Sequence, residues 1–220
     1  MSQPIAVEVW SDIVCPWCYI GKRRFELGRR AFEEQGGPPV EVVYRSFELT
    51  PDTPVDYAGS ITDFFVQLKG VSPERAREMF DHVTGLAAGV GLNYDYPAIQ
   101  HTNTLKAHQV LHLARRRGRQ NELVERLFAA YFEQGRHLGR DADLAALAAE
   151  VGLDQPEVLA ALADGRHLAD VQADLAQARA YGINAVPFFV IGGKYGVSGA
   201  QPPEAFTSAL ARYAQERAAA

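Results

Sequence analysis

Cysteine is nearly absent from this chain. Only two of its 220 residues are cysteine, too few for the disulfide framework of a small secreted scaffold, and they stand three positions apart as Cys15 and Cys18. Long apolar runs are absent too, and no uninterrupted segment could cross a bilayer. Nor is there any excess of positive charge. The formal net charge is -5, and the basic residues are scattered apart from Lys22 to Arg24 and Arg115 to Arg117. The electrostatic footprint of a nucleic-acid binder is missing. The opening Met1-Ser2-Gln3-Pro4 leads into an alternating stretch broken by Glu8 and Asp12, without the charged start and unbroken apolar core of a signal peptide. A cytoplasmic protein with no membrane partner is expected, a leader removed before this start being the alternative. No repeat of fixed length, low-complexity tract or long linker divides the sequence.

What is present is patterned. Ile5 to Trp10 alternates, with Val7 and Val9 on one side, and Val40 to Phe47 is β-branched and aromatic, so both read as strands. Pro16 to Gln35 between them is interrupted only by Gly21 and Gly28 and ends at Gly36-Gly37-Pro38-Pro39. That is a strand, helix, strand unit. Near the other end, Phe188 to Ile191, Gly192-Gly193 and Lys194 to Val197 read as a tight hairpin. A last helix opens at Pro202-Pro203 with Phe206, Leu210 and Tyr213 on one face.

The middle is helical, segment after segment, with glycine stops. Met79, Val83, Leu86, Ala87 and Val90 share a face that ends at Gly91. Further stripes run through Ala107 to Ala114, Leu123 to Tyr131, Leu144 to Val151, and Leu159 with Leu162, each closed by a glycine, and a final one through Leu168, Val171, Leu175 and Ala178 ends at Gly182. These stripes read as packing surfaces. The expected fold class is α/β: one domain built from residues 1–58 and 166–220, with a large all-helical insertion at 59–165.

A CxxC pair on the first turn of a helix that follows a strand suits redox chemistry. Cys15 would lie where unpaired backbone N–H groups and the helix dipole favour an anion, so it would be the nucleophile. Cys18, nearly one turn on and deeper, suits the resolving role that releases substrate from a mixed disulfide. Pro16 falls where a missing N–H costs little. Trp17 offers either a flat docking face for a peptide or a ring packed against the loop before Pro187. Asp12 would disfavour the thiolate and Lys22 weakly favour it, while Lys22, Arg23 and Arg24 read as a solvated helix face. Zinc sites use the same cysteine spacing, and His108 with His112, at i and i+4, could complete one. That rival needs a distant helix to deliver both imidazoles, and a metal is not expected.

Cys15-Pro16-Trp17-Cys18 in the first βα turn, with Ala185-Val186-Pro187-Phe188-Phe189-Val190 far downstream, resembles the DsbA-like branch of the thioredoxin superfamily, and more closely its FrnE-like, largely bacterial members. Asp12-Ile13-Val14, Tyr19-Ile20-Gly21-Lys22, Phe47-Glu48-Leu49, Asn103-Thr104, Ala107-His108 and Val197-Ser198-Gly199-Ala200-Gln201 extend the likeness over almost the whole chain, insertion included. The resemblance implies that Pro187 is cis and faces the CxxC, and that the backbone of Val186 pairs with a bound substrate strand. The best-known DsbA-type oxidants carry histidine where Trp17 stands, so the resemblance supports the fold and the dithiol more than a strongly oxidising potential. The second cysteine pair of some FrnE-like relatives is absent.

The leading expectation is therefore a thiol-disulfide oxidoreductase acting on protein or small thiol substrates. It would use no cofactor beyond its own Cys15-Cys18 disulfide, with glutathione as a candidate co-substrate. A glutathione-dependent isomerase or kappa-type transferase shares the inserted-helix architecture, but such relatives typically carry serine in place of Cys15 and lack a resolving thiol. A peptide-binding or chaperone-like module without turnover is the third reading.

Overall fold

The computed structural model describes residues 3–219. In chain order it begins with β1 (Ile5–Ser11), α1 (Pro16–Glu34) and β2 (Val40–Ser46). Helices α2 (Ile61–Lys69), α3 (Pro73–Ala88), α4 (Leu105–Arg116), α5 (Gln120–Phe132), α6 (Asp141–Ala149), α7 (Gln155–Ala163) and α8 (Leu168–Ala180) follow. It closes with β3 (Phe188–Ile191), β4 (Tyr195–Ser198) and α9 (Pro203–Ala218). Two compact units result: one from both chain ends, up to Phe47 and from Asp174 onward, and one continuous, Glu48–Ala173.

In the unit formed by the chain ends, the sheet order is β2-β1-β3-β4. Strands β1 and β2 are parallel, as the crossover through α1 requires, and β3 pairs antiparallel with both β1 and β4. The β3–β4 turn is Gly192-Gly193 with φ of 58° and 66°, the doubly positive geometry that tight hairpins favour and side chains resist. Because side chains alternate along a strand, β1 feeds two cores. Val7 and Val9 pair with Ile191 and Phe189, where Phe25 of α1 stacks on Phe189 at 5.2 Å between ring centres and Phe206 of α9 meets both rings edge-on. Trp10 turns the other way, into a cluster with Ala178, Ile183 and Val190. Helices α1 and α9 meet closely, since a Cβ on Gly28 would sit 2.4 Å from the Pro203 carbonyl oxygen.

An ionic cluster lies on the Trp10 side. Asp174 is buried; its carboxylate accepts from the Arg45 guanidinium at 3.0 Å and from the Ser46 N–H at 2.9 Å. Arg45 also pairs with Glu8, and the Trp10 indole donates to the Asp174 carbonyl at 3.1 Å. Such pairing is what makes a buried carboxylate tolerable.

The helical unit has its own core, with Leu123, Leu127 and Phe128 of α5 and Leu144 and Leu147 of α6 fully buried. Aromatic stacks add to it, Phe80 on Tyr96 at 4.3 Å and Tyr94 on Phe132 at 4.5 Å. Residues 48–58, expected with the N-terminal part, belong to this unit instead. Thr102 donates to the Val55 carbonyl at 2.7 Å, Asn103 to the Pro51 carbonyl at 2.8 Å, and Arg140 pairs with Asp56. The second boundary falls within α8 rather than at residue 165.

Three further differences from the sequence pattern have local causes. Helix α2 was not anticipated, although Ser60 and Asp63 form a capping box at its start that sequence alone can display. In α3 the buried residues are Ala76, Phe80 and Ala87, not the whole Met79 to Val90 stripe. Leu159 and Leu168 are exposed, while the polar Asp174 shares the buried face of α8 with Val171 and Ala178 because it has partners there. Among the described residues, no helix is long and apolar enough to cross a membrane.

Candidate active site

Strand β1 delivers the site. After buried Trp10 and Ser11 the chain turns through Asp12, Ile13 and Val14, and Cys15 becomes the N-cap of α1 with φ -89° and ψ 112°. The turn is held by the Cys15 N–H donating to the Asp12 carbonyl at 3.0 Å, and the Cys18 N–H donates to the Cys15 carbonyl at 3.0 Å. Pro16 begins the helix, and no side-chain oxygen caps it. Its first-turn N–H groups, the positive end of the helix dipole, therefore stand beside Cys15 without a competing acceptor at the N-cap.

Cys15 and Cys18 are both free thiols and both buried, 4% and 2% exposed. The Cys15 thiol donates to the carbonyl of Val186 at 3.7 Å, a contact spanning 171 positions of sequence. The Val186–Pro187 peptide is cis, and Pro187 is buried at the head of β3. Its carbonyl accepts from the Gly199 N–H at 2.8 Å, tying this turn to the segment after β4. Val186 itself is half-buried against the Trp10 cluster.

Burial pushes the Cys18 thiol well above the usual thiol range, and the hydrogen bond and charge of Cys15 push it further. The Ser11 hydroxyl and the backbone at Asp12 act in the opposite sense, favouring the thiolate. Cys18 is thus the deeper thiol and the one that holds its proton until something removes it.

Of the other residues singled out by sequence, Pro16 is half-buried and Trp17 sits at the surface, 38% exposed. The expectation of a solvated Lys22-Arg23-Arg24 face needs correction. Lys22 is 5% exposed and bonded to Glu26 at 2.5 Å, because a lysine one helical turn from Glu can bury its stem and still pair its charge. Arg24 donates to the Ala200 carbonyl at 2.6 Å, and Arg23 lies over the Tyr19 ring. His108 and His112 are buried within α4. Among the described residues, no three of the metal-ligating types stand together as a metal site would require.

Two residues beside the dithiol carried no weight in the sequence. Ser11 is buried at the end of β1 and bears on Cys18; a serine closing a strand gives no warning of this. Gly21 interrupts the helical pattern of the sequence, and a Cβ there would meet the Pro187 ring at 2.8 Å. Its signal was available, since glycine weakens a helix interior and such positions often mark a close approach.

A four-stranded sheet with a CxxC at the head of its first helix, and a cis-proline turn against the first sulfur, is the architecture of the thioredoxin-like thiol-disulfide oxidoreductases. Comparison narrows this. The family described as DSBA-like thioredoxin domain matches residues 6–211, and the chain belongs to that family. It is 31% identical over 210 residues to the uncharacterized protein YwbO of Bacillus subtilis, covering 94% of this chain and 96% of YwbO. Its fold superposes with a TM-score of 0.88, at 42% identity over 94% of this chain and 89% of the other, on a protein described as a probable DsbA oxidoreductase, SCO1869 of Streptomyces coelicolor. Two more distant structures share the fold alone. The cytosolic disulfide reductase DsbM of Pseudomonas aeruginosa has a TM-score of 0.60 at 15% identity, covering 96% and 98% of the two chains. A 2-hydroxychromene-2-carboxylate isomerase has 0.68 at 16%, covering 97% and 98%.

Proposed function

We propose that this protein exchanges disulfides with protein or small thiol substrates through Cys15 and Cys18, with Cys15 as nucleophile and Cys18 as resolving thiol. One observation carries the reading: Cys15 stands at the N-cap of a helix with no side-chain cap, its sulfur meets the Val186 carbonyl, and Cys18 lies buried three residues on.

In the reducing direction the Cys15 thiolate attacks one sulfur of a substrate disulfide. A Cys15–substrate bond forms, and the other substrate sulfur leaves as a thiolate and takes up a proton. Cys18 then loses its proton and attacks the Cys15 sulfur. The Cys15–Cys18 bond forms, the mixed disulfide breaks and the second substrate thiol departs, so the substrate gains the two electrons that the dithiol loses. In reverse the same steps oxidise a dithiol. The order follows from the environment: a buried thiol that holds its proton is a poor first attacker, whereas one at a helix N-terminus has donors to stabilise an anion.

The rest of the site serves binding. Val186 at the cis turn offers main-chain groups to an extended substrate beside the sulfur, Pro187 fixes that turn, and Pro16 with the exposed Trp17 supplies an apolar surface next to it. Trp17 places no cation near Cys15, which argues against a strongly oxidising dithiol. The protein fits a bacterial, FrnE-like enzyme of the cytoplasm, needing no resident cofactor and using glutathione as a co-substrate. Isomerase chemistry on a glutathione adduct is disfavoured because a resolving thiol would divert it.

Replacing Cys18 by Ala tests this. Under mild oxidant with a disulfide-bonded protein substrate, covalent adducts should accumulate on Cys15 and dissolve on adding dithiothreitol. If none form while Cys15 remains alkylatable, the proposed exchange is wrong.

A further inference from the structure

The interior of α1 contains a position at which nothing larger than hydrogen fits. At Gly21, three residues after Cys18, an added Cβ would lie 2.8 Å from Cγ of Pro187 and 3.5 Å from both Cα and Cβ of Ala200. Ordinary carbon–carbon contact is about 3.5–4.0 Å, so the Pro187 ring would have to yield by roughly 0.7 Å or more. It has little freedom to do so. The residues that follow Pro187 are locked in register, Phe188 and Phe189 opposite Trp10 and Val9 of β1, and Phe189 is stacked on Phe25 of α1 itself. The Pro187 carbonyl is held by Gly199, and the neighbouring Ala200 carbonyl by Arg24, again of α1. The helix bearing the dithiol and the turn bearing Val186 are therefore clamped together at three points, Phe25, Arg24 and Gly21, and only at Gly21 does the approach depend on a missing side chain.

We infer that Gly21 is the positioning residue that sets the gap between the Pro187 turn and the Cys15 sulfur. By letting the proline ring seat on α1, it places the Val186 main chain where a substrate strand must lie for its disulfide to reach Cys15. Gly21 touches neither substrate nor sulfur. It acts through Pro187, and its effect falls chiefly on substrates that use the Val186 backbone and only secondarily on the thiol, whose contact with the Val186 carbonyl moves with the turn. This deepens the proposed exchange reaction and rests on it.

The test compares three variants with wild type, using a fluorogenic peptide disulfide and, separately, iodoacetamide alkylation of Cys15. Misplacing reacting groups by about 1 Å can cost up to about a hundredfold in rate. Gly21→Ala should accordingly lower kcat/KM for the peptide by about tenfold, a much larger factor than any change in the rate of Cys15 alkylation, which senses the displaced Val186 carbonyl only through one thiol contact. Gly28→Ala, on the same helix, would press on Pro203 and Phe206 instead. It should lower the urea midpoint without changing the ratio of peptide turnover to alkylation. In a Pro187→Ala background, where the clashing ring carbons are gone, adding Gly21→Ala should cost nothing further. If Gly21→Ala does not fold, the Gly21→Ala, Pro187→Ala double variant should still do so, and failure of both would overturn the assignment. So would equal losses of peptide turnover and alkylation in Gly21→Ala, or additive losses in the double variant. If wild type itself turns over no peptide disulfide, it is the exchange reaction that fails; the positioning role is then read from whether Gly21→Ala alters Cys15 alkylation in the presence of a bound, uncleavable dithioether peptide.

Discussion

In the proposed exchange the second thiol must lose its proton before it resolves the mixed disulfide, and buried Ser11, whose hydroxyl oxygen has no hydrogen-bond partner in the dithiol state, is placed to donate to the Cys18 thiolate as it forms. Burial raises the Cys18 pKa first and foremost, and the pairing with Cys15 adds to the rise; the Ser11 hydroxyl is the side chain that counters it. Removing that hydroxyl in Ser11→Ala should shift the Cys18 pKa further up, so the sign is fixed. Resolution of a Cys15 mixed disulfide should slow at neutral pH and recover only as the solution becomes more alkaline, while Ser11→Thr, which keeps a hydroxyl, should stay near wild type. Quenched-flow mass spectrometry of the adduct across pH measures this. An unshifted profile in Ser11→Ala would show that the backbone at Asp12 suffices. None of this was legible in the sequence. Cys15 and Cys18 stand out by spacing, and the family resemblance implies the Val186-Pro187 turn opposite them, 171 positions away from Cys15; nothing in the sequence marks the serine that ends β1.

At the scale of elements, the segment between β2 and α2 is fastened to the helical unit by side chains, and one of them is a titratable latch. His137 accepts the Gly139 N–H at 3.0 Å through Nδ1 and meets the Val55 carbonyl at 3.0 Å through Nε2. Both ring nitrogens are thus used by the neutral Nε2–H form. Burial, and then the Arg140 cation, hold the His137 pKa below the ordinary histidine range, with the Val55 carbonyl, Asp56 and Asp143 pulling the other way. A depressed histidine is protonated more readily in the unfolded chain. Its contribution is therefore complete above the unfolded pKa of about 6.5 and is lost as pH falls below it. The melting temperature should drop between pH 7 and pH 5 by more in wild type than in His137→Asn, at about 2–4 °C per kcal/mol for a chain of this size. Parallel curves for the two proteins would remove the latch. Glycine stops and helical stripes had disclosed most of these helices in advance. The assignment of residues 48–58 had not been disclosed, because it is made by Thr102, Asn103, His137 and Arg140, which lie far along the chain.

At the scale of the whole molecule, two units with separate cores share one chain, and both tryptophans, Trp10 and Trp17, lie in the unit built from the chain ends. Indole fluorescence therefore reports that unit, whereas ellipticity is dominated by the helices from α2 to α7. Asp174 anchors the fluorescent unit through Arg45, the Ser46 backbone and the Trp10 indole. Breaking a buried ion pair by removing one partner costs roughly 3–5 kcal/mol. Asp174→Ala should lower the urea midpoint seen by fluorescence substantially, and the midpoint seen by ellipticity less. Equal displacement of the two would mean that the units unfold as one.

By itself the sequence determined the local structure and singled out the residues proposed to carry the chemistry: the CxxC at a helix start, the strands by alternation, the hairpin by paired glycines, the helical middle by its periodicity. Only the tertiary structure decided the contacts themselves: the Cys15 thiol on the Val186 carbonyl, where the resemblance implied no more than a facing Pro187 turn, Ser11 buried beside Cys18, the Pro187 ring in the space left by Gly21, and Asp174 turned inward to Arg45. The reason is physical. Local patterns are written by steric and solvation preferences that act over a few residues, whereas the final distances between these groups depend on how strand pairing and helix packing set separate parts of the chain against one another.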